Sequence, residues 1–237
     1  MRAKKPTVDA VAAAKGPPDS DREQGLPDRV VEAVHAGLMT GRYVPGQKLI
    51  ESELTKTFGV SRGSLREGLK RLESDGVIVI SRNRGAHVRT LTRKETMDLV
   101  EVLEVVGPFM VQLAAKAVKL NTSANVKLLD ALLARLNKYS GGDLEYLDIR
   151  RNFYDTMISV ADNAHLPATV PVMLVCLLRL QFLRYSNVDR QDSIEIDKQI
   201  VSAVRNGQEA EAARLMKRYT KLVKKQWAEL PQEAFAN

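Results

Sequence analysis

The stretch Pro45–Val88, PGQKLIESELTKTFGVSRGSLREGLKRLESDGVIVISRNRGAHV, decides how this chain of 237 residues is read. Leu49, Leu54 and Phe58 carry the apolar spacing of a short helix that opens near Glu51, and Gly59-Val60 forces a tight turn after it. Ser61 starts a second helix. Its hydroxyl can accept from the unpaired amides of the first turn, and Val60 with Leu65 has the spacing of a hydrophobic staple. Along that helix Leu65, Leu69 and Leu72 form an apolar stripe, while Arg62, Arg66 and Lys70 recur every four residues beside it. Beyond Gly76, the run Val77–Ile80, the polar turn Ser81–Gly85 and the segment Ala86–Arg89 predict a β-hairpin with a basic tip. Two helices and a basic hairpin predict a winged helix-turn-helix, a shape that sits on duplex DNA.

Charge supports this expectation. The chain carries a formal net charge of +7, and thirteen cations against seven anions lie between Asp28 and Lys94. A basic surface of this kind attracts phosphate and weakens with salt. On charge alone it could equally be a solvated face. The order of the motifs decides for the reader of DNA.

The lone cysteine, Cys176, sits in an apolar run, which excludes an intramolecular disulfide framework or a cysteine-based metal site and predicts a buried small side chain. The opening MRAKKPTVDAVAAAKGPP lacks the apolar core of a signal peptide and predicts a flexible tail over residues 1–25 and a cytoplasmic protein. The longest apolar stretch, Val170–Leu183, is too short to span a bilayer and contains Arg179, so no membrane association is expected.

The reader is expected over residues 26–92. From Arg93 onward only helical periodicity is visible, which predicts a mainly α protein whose second domain, residues 93–230, is an antiparallel helical bundle, with a C-terminal tail at 231–237. Helices are expected near 93–120, 123–138, 143–162, 168–185, 193–206 and 208–229. Gly141-Gly142, Asn163, Ser186-Asn187 and Gly207 separate them, and Pro108 is expected to kink the first. Polar residues interrupt three apolar faces: Arg150 among Leu147, Phe153, Tyr154 and Met157; Asp197 among Ile194, Ile200 and Val201; and Tyr219 among Leu215, Met216 and Leu222. A buried unpaired charge costs several kcal/mol, so Arg150 and Asp197 are expected to meet each other, a ligand or water. They form either a structural ion pair or the wall of an effector pocket.

The motif PG-x-x-L-x-E-x-x-L…GVSR-x-x-x-RE-x-L-x-x-L-x-x-x-G…NRG resembles the GntR family of bacterial transcription regulators. The resemblance implies base and phosphate contacts from Ser61, Arg62, Ser64 and Arg66 in the major groove, and contacts from Arg84 and Gly85 in the minor groove. Ser52, where relatives often carry arginine, and Gly63-Ser64 in place of Thr-Pro depart from the pattern and imply a different site sequence. Residues from about Arg93 to Leu230 resemble the FCD effector domain of the FadR branch, which commonly holds a divalent metal. The resemblance places Arg150 in the Asp slot of that site, and Tyr154, Asp197 and Tyr219 in its three His slots. The chain has three histidines, His35, His87 and His165, and only the last lies in the helical domain. A guanidinium cannot ligate a cation, and phenols are uncommon ligands, so loss of the metal and no cofactor are expected.

The leading expectation is a homodimeric transcription regulator that binds operator DNA and senses a small anion, such as an organic acid, through Arg150, Tyr154, Arg179, Asp197 and Tyr219. An acyl-coenzyme A effector and a constitutive DNA-binding protein with a vestigial pocket are the alternatives. The sequence shows no Gly-rich phosphate loop, GxSxG elbow or acid/base pair, so no enzyme is expected.

Overall fold

The structure is a computed structural model that describes residues 19–120, 122–185 and 190–236, without the side chains of 19–24 and 122. Three helices and a small sheet form the reader. Helix α1, Asp19–Met39, buries Val30, Val34 and Leu38 against α3, Arg62–Ser74, which returns Leu65, Leu69 and Leu72. Gly68 makes this approach possible, because a β-carbon there would lie 2.6 Å from Cβ of Val30. Helix α2, Glu51–Phe58, ends on Gly59 in the left-handed region at φ 63°, ψ 38°, where a side chain would be strained. Ser61 then caps α3, its hydroxyl accepting from the amide of Ser64 at 3.1 Å.

The wing is antiparallel. Strand β2, Ile78–Ser81, pairs with β3, Gly85–Val88, so that Ser81 faces Gly85 across a loop of Arg82, Asn83 and Arg84. Strand β1, Lys48–Leu49, which the sequence did not reveal, adds to the other edge of β3 in the order β1-β3-β2.

Thr92 and Glu95 open the second domain with a capping box. The Thr92 amide donates to the Glu95 carboxylate at 2.8 Å, and the Glu95 amide donates to the Thr92 hydroxyl at 3.2 Å. Helix α4, Arg93–Leu120, continues through Pro108 and packs on α6, Asp143–Ala161, α9, Arg190–Arg205, and α10, Glu209–Ala228. Helix α5, Thr122–Asn137, covers α6 and α9.

The single helix expected over 168–185 is two: α7, Leu166–Thr169, and α8, Val172–Phe182. Val170 is extended at φ −99°, ψ 103° because the ring of Pro171 disfavours helical backbone in the residue before it. The expected Ser186-Asn187 break and residues 1–18 of the expected tail lie outside the described residues. Residues 19–25 of that tail are the first turns of α1.

The expected C-terminal tail is also corrected, since 231–236 is docked. Ala234 and Phe235 are buried, the Phe235 ring packs on Phe182 at 5.2 Å, and the guanidinium of Arg93 lies 4.3 Å above it. The Ala236 amide donates to the Leu91 carbonyl at 2.9 Å. Gln181 of α8 completes the junction. Its amide nitrogen donates to the carbonyls of Leu91 and Ala234, and its oxygen accepts from the amide of Leu91. The short apolar pair in a polar stretch was too weak a signal to reveal this clamp on the linker between the domains.

Candidate functional site

On the reader, α3 exposes Arg62, Arg66 and Lys70 on the side away from its buried leucines, and Ser64 is half-exposed there. Arg66 is held through Nε by Glu51 at the start of α2, at 3.1 Å, with the arginine side chain largely in solvent and the carboxylate side chain partly so. Its two terminal nitrogens stay available to a ligand. Ser61 and Ser64 share a hydroxyl contact of 3.0 Å at the front of the helix, and Ser52 lies exposed one residue after Glu51. Arg84 is exposed at the wing tip, followed by Gly85 at φ 73°. Around that tip, Arg82, Asn83, Arg84 and His87 line an open hollow of about 570 Å³. Two basic projections, one helical and one hairpin, can therefore follow a duplex.

In the helical domain, four helices bring their interrupting polar residues together. Arg150 of α6 donates through Nη1 to Asp197 of α9, and both side chains are fully buried. The Arg150 guanidinium stacks over Tyr219 of α10 at 4.5 Å, over Phe153 at 4.8 Å and over Tyr154 at 5.2 Å. Arg179 of α8 donates to the Tyr219 phenol at 2.7 Å and to the Tyr146 phenol at 3.1 Å. Thus Arg150, Tyr154, Arg179, Asp197 and Tyr219 form one cluster, to which the structure adds Tyr146. Tyr146 stands one turn before Arg150 on the same face of α6, and that spacing was the available signal for it. Asp148 turns outward to Arg135 of α5, and His165 is exposed next to α7.

Electrostatics make this cluster positive. Burial opposes the charge on Arg150, but Asp197 and the surrounding phenols overcome it and hold its pKa well above the ordinary arginine value. Arg179 likewise keeps its proton despite burial, through the phenols of Tyr146 and Tyr219. Burial pushes the Asp197 carboxyl up and Arg150 pulls it back, while burial pushes the Tyr219 phenol far above its usual range. Two guanidiniums thus face one carboxylate.

Hydrogen bonding is incomplete. Among the described residues, Nε and Nη2 of Arg150, Nε of Arg179, Oδ2 of Asp197 and Oε1 of Gln226 are shielded from solvent without a protein partner. Such groups are costly unless something satisfies them. Next to Arg179, Tyr146, Gln226 and Trp227 border a cavity of about 20 Å³, roughly the space of one water. An organic ligand must part these helices to enter.

A winged helix-turn-helix joined to a helical domain with a buried polar cluster defines a DNA-binding regulator. The sequence pattern described as "Bacterial regulatory proteins, gntR family" matches residues 26–88, and that of the "FCD domain" matches residues 98–221, over half of the chain. The chain belongs to the GntR family of bacterial transcription regulators, in the branch with an FCD effector-binding domain.

Similar proteins agree. The HTH-type transcriptional regulator YdhC of Bacillus subtilis is 23% identical over 66% of this chain and 70% of its own length. The HTH-type transcriptional regulator Rv0494 of Mycobacterium tuberculosis is 34% identical, over 42% of this chain and 47% of its own. Among solved structures, McbR/YncC of E. coli superposes with a TM-score of 0.70 at 18% identity, covering 84% of this chain and 94% of that one. A putative GntR regulator from Rhodococcus sp. RHA1 gives 0.65 at 20% identity, over 85% and 96%. At these identities the superpositions establish the fold. Among the described residues no helix is long and apolar enough to cross a membrane.

Proposed function

We propose that this regulator binds a pseudo-palindromic operator as a homodimer in the cytoplasm, and that an organic anion bound at Arg150 without a divalent metal alters its grip on DNA. The carrying observation is the Nε–Nη2 edge of Arg150, buried and without a protein partner among the described residues. That edge offers two parallel N–H donors, the geometry that pairs with a carboxylate or phosphate. The excess positive charge of the cluster favours an anion, and Tyr154, Arg179 and Tyr219 stand ready to bond its remaining oxygens.

The donor set supports the absence of a metal. In the positions where the FCD branch commonly places its ligands stand a guanidinium, two phenols and a single carboxylate already bonded to Arg150. Burial keeps the Tyr219 phenol protonated, and a cation there would be repelled by Arg150 and Arg179. These residues do not fit a divalent ion.

DNA contacts are assigned to Ser52, Ser61, Arg62, Ser64 and Arg66 in the major groove and to Arg84 and Gly85 in the minor groove, because Ser61, Arg62, Arg66, Arg84 and Gly85 are exposed on the two basic projections, Ser64 is half-exposed on α3 and Ser52 is exposed on the adjoining α2. For the homodimer, the supporting feature is a stripe on α4. Val102, Val105 and Phe109 follow helical spacing and are 49%, 73% and 51% exposed, an apolar face that a second copy would cover.

The test begins with operators selected from a randomised duplex library and titrated with a panel of mono- and dicarboxylates at fixed salt. At least one carboxylate should shift operator affinity, and Arg150→Lys should remove that shift, since lysine keeps the charge but loses the paired N–H edge. Val105→Asp should convert a dimer to a monomer by sedimentation. An unaltered carboxylate response in Arg150→Lys refutes the assigned site.

A further inference from the structure

A second concavity lies where the two domains meet. Its volume is about 590 Å³, within the range of small-molecule sites. The reader contributes His35 from α1 and Ser74 and Asp75 from the end of α3; the helical domain contributes Asp155, Ile158 and Ser159 of α6. Pro167, Ala168 and the run Val170 to Leu174 close the other side with an apolar wall. Arg150 and Asp155 share α6 but, five residues apart, point to different sides of it: one into the buried cluster, the other into this cleft.

The polar groups here are mostly acceptors. Asp75 sits at the carboxyl end of α3, where the helix dipole already makes the surroundings negative, so its charge is unfavourably placed for the reader alone. Asp155 is half-buried, and desolvation raises its pKa against the pull of Arg151, which pairs with it at 3.4 Å. The His35 ring is partly buried, and its Nε2 is shielded from solvent without a partner among the described residues. Burial and the nearby charge of Arg151 lower its pKa, so the ring is neutral at pH 7. After Arg151 is matched with Asp155, the Asp75 carboxylate remains without an ion-pair partner among the described residues, beside an apolar wall.

We propose that this interdomain cleft is a second small-molecule site, built for an organic ammonium ion with an apolar body. The ammonium head sits at Asp75 and shares Asp155 with Arg151, with the Ser74 and Ser159 hydroxyls at its margin, and the apolar body lies along Ile158, Val172 and Met173. An occupant touches both domains, so it fixes the reader relative to the helical bundle. This site is independent of the anion at Arg150, and either can fail without the other.

Calorimetry on the full chain at pH 7.5 tests it with 2-phenylethylammonium, 3-phenylpropan-1-ol and 3-phenylpropionate as probes. The ammonium should bind saturably, one per chain, and the alcohol and the carboxylate at least about tenfold more weakly, since a hydrogen bond to a charged group is worth that much. Asp75→Asn and Asp155→Asn should each weaken the ammonium about tenfold. Ala168→Trp, which fills the cleft from its exposed rim, should abolish binding even if a carboxamide variant proves unstable in thermal unfolding. The first turn of α8 also borders the cleft and would attract anions, so equal or tighter binding of 3-phenylpropionate overturns the proposal. So does an absence of saturable ammonium binding, or binding that survives Ala168→Trp.

Discussion

Arg66 on the reader keeps 66% of its side chain in solvent, whereas Arg150 in the helical domain keeps none. The first pairs with a carboxylate that is itself exposed, an interaction worth about 0–1 kcal/mol that DNA phosphates can displace at little cost. The second cannot leave its partner without stranding a charge in a medium of low dielectric. The same side chain thus serves two purposes. Outside, it is an adaptable cation whose value lies in long-range attraction; inside, it is a fixed fork with one edge unfilled among the described residues. The two sites are linked through α8, which carries Arg179 into the cluster and, two residues on, Gln181 onto the linker at Leu91.

The widest gap between the regions should appear in stability. Arg150→Met leaves Asp197 buried and unpaired, and should cost about 3–5 kcal/mol in urea unfolding. The paired change Arg150→Met with Asp197→Leu should recover most of that loss. A single variant costing less than about 1 kcal/mol would place the cluster in solvent and break the comparison.

On the reader the order reverses, with binding affected and stability spared. Arg62→Ala or Arg66→Ala should weaken operator binding about tenfold or more, as expected for losing one good base contact of about 1–3 kcal/mol. Folding stability should stay within about 0.5 kcal/mol of the parent, the usual range for surface substitutions. Unchanged affinity in both variants would remove α3 from the DNA interface.

A smaller effect belongs to His35, between the domains. Burial holds its pKa below the ordinary 6.5, so the folded chain binds fewer protons there than the unfolded chain. Stability tied to the neutral ring is complete above pH 6.5 and is lost as pH falls through 6.5 towards the folded-state value. The urea midpoint of the parent should therefore drop more between pH 7.5 and 5.5 than that of His35→Gln. Equal slopes would show that the ring titrates freely.

How much of this was legible in the sequence differs by region. The reader is built from local signals: an N-cap at Ser61, a glycine stop at Gly59 and an alternating hairpin, each set by residues a few positions apart. In the helical domain, Arg150, Asp197 and Tyr219 stood out because each interrupts an apolar face, and burial then forces such groups together. What escaped depends on contacts between distant segments. The break before Pro171 was hidden inside a continuous apolar run, β1 is too short to show a period, and the docking of 231–236 rests on Gln181, about fifty residues away. Tyr146 was not singled out: its spacing one turn before Arg150 was the available signal, but its bond to Arg179 joins segments 33 residues apart.

The claim that the buried cluster senses an anion through arginine rather than through a metal is tested most directly by chelation. Operator affinity is measured with and without the active carboxylate, on the same preparation before and after exhaustive treatment with EDTA. The account predicts an identical carboxylate-induced shift in both, with no stoichiometric transition metal in the untreated protein. A shift that disappears on chelation and returns with one equivalent of zinc, nickel or manganese would contradict it.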